Sequence, residues 1–252
     1  MHSKLTKRHL AVAVIFLAAI TMAGGVQWAK SSVGSHVSQE TKKQKLLKEE
    51  VFRVIDAAPD EFDANKRQAR AKKNRRFNMS AGRLEDQKED DIYGTILESE
   101  PPALPLGSDV IVVASIQWRQ PYLSENITSV YTELTVHIEE ILKNNPASPI
   151  YAFEPLFVDR EGGAIRMPNG RIYRYSVAGL DMPVVGKRYV LFLQYVAEHD
   201  YKLVSGYELT ASTIKPLENF HDRDWLLKLT EVQFLDLLRQ RLSQKKAEGV
   251  TK

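Results

Sequence analysis

The chain has 252 residues, a formal net charge of +3 and no cysteine. The missing cysteines exclude disulfides, thiolate metal sites, cysteine nucleophiles and a lipid-modified cysteine, and so small a charge excess does not argue for a nucleic-acid partner. With 43% hydrophobic residues the chain is able to build a core by ordinary burial, and its length allows one or two domains.

Residues 1–9 form a basic start, with Lys4, Lys7 and Arg8, followed by the apolar run LAVAVIFLAAITMAGGV from Leu10 to Val26. A basic n-region before an uncharged apolar stretch is the pattern of an export signal. The run is longer than a usual signal core of about 7–15 residues and shorter than the ~20 of a full spanning helix. Small residues at Ala23-Gly24-Gly25 offer a cleavage site, whereas Trp28 suits an interfacial anchor. We read residues 10–28 as a transmembrane anchor, or as a signal sequence whose cleavage would leave a secreted or periplasmic protein. Positive-inside bias then puts the rest of the chain outside the cytoplasm.

Residues 29–105 read as a charged, partly helical spacer. Leu47, Val51 and Val54 recur at helical spacing up to Pro59. A second helix is expected over residues 60–76, with Asp60 as its N-cap. It ends in KRQARAKKNRR (Lys66–Arg76), the densest basic stretch. Such a run can meet nucleic acid or anionic lipid. The export signal argues against nucleic acid, and a solvated face partly neutralised by Glu85, Asp86, Glu89, Asp90 and Asp91 is the favoured reading. Pro101, Pro102 and Pro105 stiffen the approach to the next segment.

Residues 106–218 change to period-two alternation and read as an all-β domain, a small antiparallel barrel or sandwich, OB-like in one version. Val110–Trp118 is expected to be a buried strand, and Val130–Glu139 a strand with one buried and one wet face. A strand is expected over residues 150–158, with Pro155 restricting it to an edge or bulge. Met167-Pro168-Asn169-Gly170-Arg171 predicts a hairpin turn, with Ile165, Met167, Tyr173, Tyr175 and Val177 on one face. Tyr189–Val196 should be a central strand, and Tyr201–Leu209 and Ala211–Ile214 complete the set. Residues 222–246 return to helical period. Thr230 and Gln233 form a capping box there, and Val232, Leu235, Leu238 and Leu242 an apolar stripe widened by Phe234 and Leu237.

The strings SDVIVVASI, LSENITSVYTELTVHIEEILKN, EGGAIRMPNGRIYRYSVAG, VGKRYVLFLQY and YKLVSGYEL resemble a group of uncharacterised exported bacterial proteins over residues 104–216. That resemblance implies one β-domain behind a variable spacer and brings no catalytic residue with it. Ile138–Lys143 and Gly186–Leu193 are also similar to pieces of netrin-like, inhibitor-type OB barrels. Those rely on cysteines this chain lacks, so the likeness implies a barrel more than protease inhibition.

Nucleophile elbows, phosphate loops, zinc-binding HExxH and paired acidic motifs are absent from the sequence. His36, His137, His199 and His221 are scattered without metal spacing. Asn78 and Asn126 match the glycosylation sequon by chance. Candidate binding residues are Glu161, beside the Gly162-Gly163 turn; Arg166 and Arg174, expected on one hairpin face, where paired guanidinium groups could receive a carboxylate or phosphate; and Trp118 with Tyr122 around a loop at residues 119–126. For each, structural packing or a solvated ion pair is the blander alternative. A non-enzymatic binding or structural module is therefore expected at the outer face of the cytoplasmic membrane. It would contact an envelope protein or polymer, without cofactor or metal and in an unknown oligomeric state. The alternatives are an envelope hydrolase using Glu161 or Glu133, and an inhibitor of an exported protease.

Overall fold

The computed structural model describes residues 53–61, 63–73, 75–79, 84, 91–94, 103–197, 200–218 and 224–250. All belong to one compact unit beginning at Val51. The apolar run at residues 10–26, Leu47, Val51, the acidic cluster at residues 85–90, His36, His199 and His221 lie outside the described residues. Among the described residues no helix is long and apolar enough to cross a membrane.

The protein is mainly β. Its large sheet is built from β3 (Val110–Leu123), β4 (Val130–Lys143), β5 (Pro155–Glu161), β8 (Arg188–Ala197), β9 (Asp200–Leu209) and β10 (Ile214–Pro216), in the order β10-β9-β5-β4-β3-β8. Neighbours are antiparallel except β5 and β9, which meet in parallel at only two residue pairs, Val158 with Tyr201 and Asp159 with Lys202. β8 also pairs with β9 along most of its length, so the pairings run β3-β4-β5-β9-β8 and back to β3. The sheet wraps around a core without closing as a full barrel. A smaller sheet joins β1 (Ile55–Asp56), β6 (Gly163–Arg166), β7 (Ile172–Val177) and β2 (Asp91–Gly94), in the order β1-β6-β7-β2.

The continuous apolar text of VIVVA has a physical reason: the start of β3 is buried on both faces. Val110, Val112, Ala114 and Ile116 point into the main core with Leu134, Val136, Val158, Leu191 and Leu203. Ile111 and Val113 point the other way, with Val190 and Phe192, beneath helix α2 (Glu231–Val250). Phe234, Leu235 and Leu238 cover that second layer, and the Thr230–Gln233 capping box forms as expected. Val232, expected in the stripe, is instead exposed, because it falls on the helix side turned away from the sheet. The Met167–Arg171 turn also forms: Met167 donates to Arg171, and Gly170 takes the positive φ the turn requires. Ile165, Tyr173, Tyr175 and Val177 share one buried face, with Met167 packed against it.

Several expected boundaries move. β3 continues through Pro121 to Leu123, so residues 119–123 are strand, not loop. β5 begins at Pro155, which has no N–H to give to a ladder and is suited to a first strand position. Ile55 is strand rather than helix, since β1 pairs in parallel with Ile165–Arg166. The second helix is shorter than expected: α1 spans Ala64–Lys73, and Asp63, not Asp60, receives the N–H groups of Asn65 and Lys66.

Residues expected to be pure spacer take part in the fold. Arg70, Arg76 and Phe77 form a strap across one end of the outer face of β3, β4 and β5. Arg70 sits 4.0 Å over the Tyr122 ring and pairs with buried Glu61. Phe77 stacks on Tyr131 with centroids 4.9 Å apart. Arg76 reaches Asp159 at 2.6 Å and Asp200 at 3.1 Å, both carboxylates being almost wholly buried.

Candidate functional site: the outer face of strands β3 to β5

Antiparallel partners that stand directly opposite share a face, so the registers order the outer face in rows. Tyr122, Tyr131 and Glu161 form the first row, and Gln120, Glu133 and Asp159 the second. Trp118, Thr135 and Phe157 form the third, and His137 and Pro155 continue the face beyond it. The strap covers the first two rows through Phe77, Arg70 and Arg76. Beyond it the third row is bare, with Trp118 47% and Phe157 48% exposed.

A bulge between Ile116 and Trp118 re-aims the end of β3, a usual role for such an insertion. Next to this row Phe153 is 73% exposed and sits at φ +67°. A left-handed conformation costs a bulky L-residue on the order of 1–2 kcal/mol. The ring gains little burial in return. It leans toward His137 at 6.0 Å between centroids, and its N–H donates to the Ile138 carbonyl. Between Gln117, Thr135, His137, Phe153 and Pro155 lies an open cleft of about 300 Å³ with no carboxylate, lysine or arginine in its lining.

Four of the residues singled out from sequence meet on this face. Trp118 is not a packed strand-end cap; the bulge turns it outward. Tyr122 is nearly buried beneath Arg70, and burial, with Glu133 adding to it, pushes its hydroxyl up to about 12 against the opposing pull of Arg70. Glu161 accepts a hydrogen bond from the Tyr175 hydroxyl at 3.1 Å, and burial raises that phenol well above its ordinary value. Glu133 stands opposite Asp159, whose carboxylate is held by Arg76. Neither Glu133 nor Glu161 lines the cleft.

Arg166 and Arg174 lie elsewhere, on the hairpin of β6 and β7. Their register puts both on one face, Ala164 opposite Arg174 and Arg166 opposite Ile172. Arg166 forms an ion pair with Asp56 at 3.0 Å. Among the described residues no group of histidine, aspartate and glutamate is placed to hold a metal ion.

Sequence reasoning missed the buried charges. Arg160 and Glu218 form a pair inside the molecule at 3.0 Å, and Glu218 also accepts from Ser205 and from the Gly206 N–H. Arg76 was legible only as part of a basic run, because its carboxylates lie 83 and 124 residues further along the chain. Much of that run is neutralised locally rather than offered to a polyanion: Lys66 pairs with Asp60, Arg70 with Glu61, and Arg75 with Glu125. The sequon residues are structural too. Asn126 accepts from the Thr128 hydroxyl and donates to the Met79 carbonyl.

Compared with known proteins, the sequence matches no family model and no curated protein.

Proposed function

We propose that the chain is a non-enzymatic binding module carried at the outer face of a cytoplasmic membrane, and that the bare aromatic row docks a segment of an envelope protein. The domain would be an OB-like, partly open barrel. The cyclic pairing with a short parallel junction supports this, being the pattern expected of a five-stranded Greek-key barrel. The basic start and apolar run at residues 10–26 support the export and anchor.

One observation carries the docking reading. A single strand face is covered over half its length by the protein's own Phe77 and Arg76, and its other half keeps Trp118, Phe157 and a strained Phe153 in water. Rigid exposed aromatics around a shallow cleft are the composition of an interface centre. The exposed rings beside the cleft favour an apolar partner side chain, seated as Phe77 is seated on Tyr131, while Gln117, Thr135 and His137 offer hydrogen bonds to its polar groups.

A photoreactive phenylalanine analogue at position 153 of the full chain tests this in cells. The expected result is one dominant protein adduct that is lost on Trp118→Ala or Phe157→Ala and does not form when the analogue replaces exposed Lys215. Equal yields from both positions, or an adduct to polysaccharide, would reject it. A C-terminal reporter active only in the cytosol would separately reject the membrane-face placement.

A further inference from the structure

The other end of β4 meets the C-terminal half of α2 around an open cavity of about 600 Å³. Lys143, Arg239, Lys245 and Lys246 line it, and no acidic residue does. Arg239 is committed to Glu140 and Asp236 at the rim. Lys245 and Lys246 are exposed in the last turns of the helix. Lys143 is tied to the carbonyls of Leu106 and Ser108. Burial, with the nearby charge of Lys245, holds its amine below the ordinary lysine value, and Asp109 only partly offsets this. The helix end accounts for some preference for cations, and the two carbonyls hold the Lys143 amine beside them. The remaining wall is formed by Leu106, Leu142 and Leu242, with the polar Asn144 and Ser243 beside them.

Like charges gathered around an empty space repel one another until an anion enters. A leucine wall gives nothing to a fully hydrated ion and favours one that carries hydrocarbon. We propose that this cavity binds the phosphate headgroup of an anionic phospholipid, with the lysines on the phosphate and the leucines against the first methylenes of the lipid. The choice of a lipid over a soluble phosphate ester rests on the membrane-tethered reading as well as on the leucine wall. The preference for an anion does not. α2 would then lie with its C-terminal half toward the bilayer surface, where its lysines face anionic headgroups.

The full chain in non-ionic detergent, titrated calorimetrically with short-chain phosphatidylglycerol, phosphatidylcholine of equal chain length and inorganic phosphate, tests the proposal without depending on the anchor. Phosphatidylglycerol should bind at one per chain, at least about tenfold tighter than phosphate, and phosphatidylcholine should not saturate. The double variant Lys245→Gln/Lys246→Gln, on an exposed helix end, should weaken phosphatidylglycerol about tenfold or more, as expected for losing two such cations. Leu242→Ser should weaken the lipid and leave phosphate unchanged, and Lys215→Gln should alter neither. Undiminished lipid binding by the double variant would overturn the site, as would no binding of either anion. Phosphate binding as tightly as the lipid would overturn the lipid assignment. Cytosolic localisation of the reporter fusion, with this titration as expected, would sink the tether alone.

Discussion

Arg76 is held between two carboxylates, Asp159 and Asp200. Asp159 and Asp200 are almost wholly buried, and removing one partner of such a pair typically costs about 3–5 kcal/mol because the remaining charges stay desolvated. Arg76→Ala is therefore expected to destabilise the protein by about that amount in urea denaturation, and Asp159→Asn in the same background should recover part of the loss. Phe153 predicts the opposite sign. Glycine accepts φ +67° without a Cβ clash, so Phe153→Gly should raise stability by roughly 1 kcal/mol while weakening capture of the docked partner. Such a trade is expected where an interface, rather than the fold, selects the residue. Tyr122 sets an alkaline limit. Its folded value is raised to about 12 from an ordinary 10, so the folded state holds that proton more tightly. The resulting stability is complete below pH 10 and is lost as pH rises from there through 12. Tyr122→Phe should flatten that part of the stability profile, read by denaturant midpoints between about pH 9 and 12.

At the scale of elements, legibility followed the range of the interaction. The capping box of α2 and the Met167–Arg171 turn are set by residues within four positions of each other, and both form as the local pattern predicts. The end of β3 was not legible, because Pro121 and a polar stretch at Arg119–Gln120 carry the marks of a loop. They are strand because β4 pairs with them and their polar groups find partners, Gln120 donating to the Asp56 carbonyl and Arg119 to the Pro183 carbonyl. Half of the candidate face could be foreseen as aromatic: Trp118 and Tyr122 stand out in the sequence. Phe157 joins them only through Thr135, a neighbour in register and not in sequence. The Gly162-Gly163 step was legible as a backbone device. At Gly163, with φ +145°, an added Cβ would stand 2.5 Å from the Thr132 hydroxyl oxygen. Gly163→Ala should cost on the order of 1–3 kcal/mol, measured by thermal unfolding, and Thr132→Ala should relieve the clash without relieving the backbone strain.

For the molecule as a whole, the division into spacer and domain changes most. The stretch KRQARAKKNRR reads as the solvated face of a spacer helix, yet Arg70, Arg75 and Arg76 are each tied to a carboxylate, and Phe77 is buried. Limited trypsin digestion of the full chain should cut this run slowly, at a rate following local opening of the strap. Asp200→Asn should accelerate that cleavage while cleavage near Lys245 is unchanged. Rapid cutting of the native protein at Arg70–Arg76 would return the segment to a plain spacer.

The strap's connections also order events in time. During synthesis Arg76 and Phe77 leave the ribosome before any strand of the large sheet has been made, and their acidic seat is incomplete until residue 200 emerges. The basic segment must therefore remain undocked through most of translation, and the aromatic surface it shields must assemble without it. Docking the strap belongs to the closing step of folding, and a chain stalled before β9 would expose both halves of that surface at once.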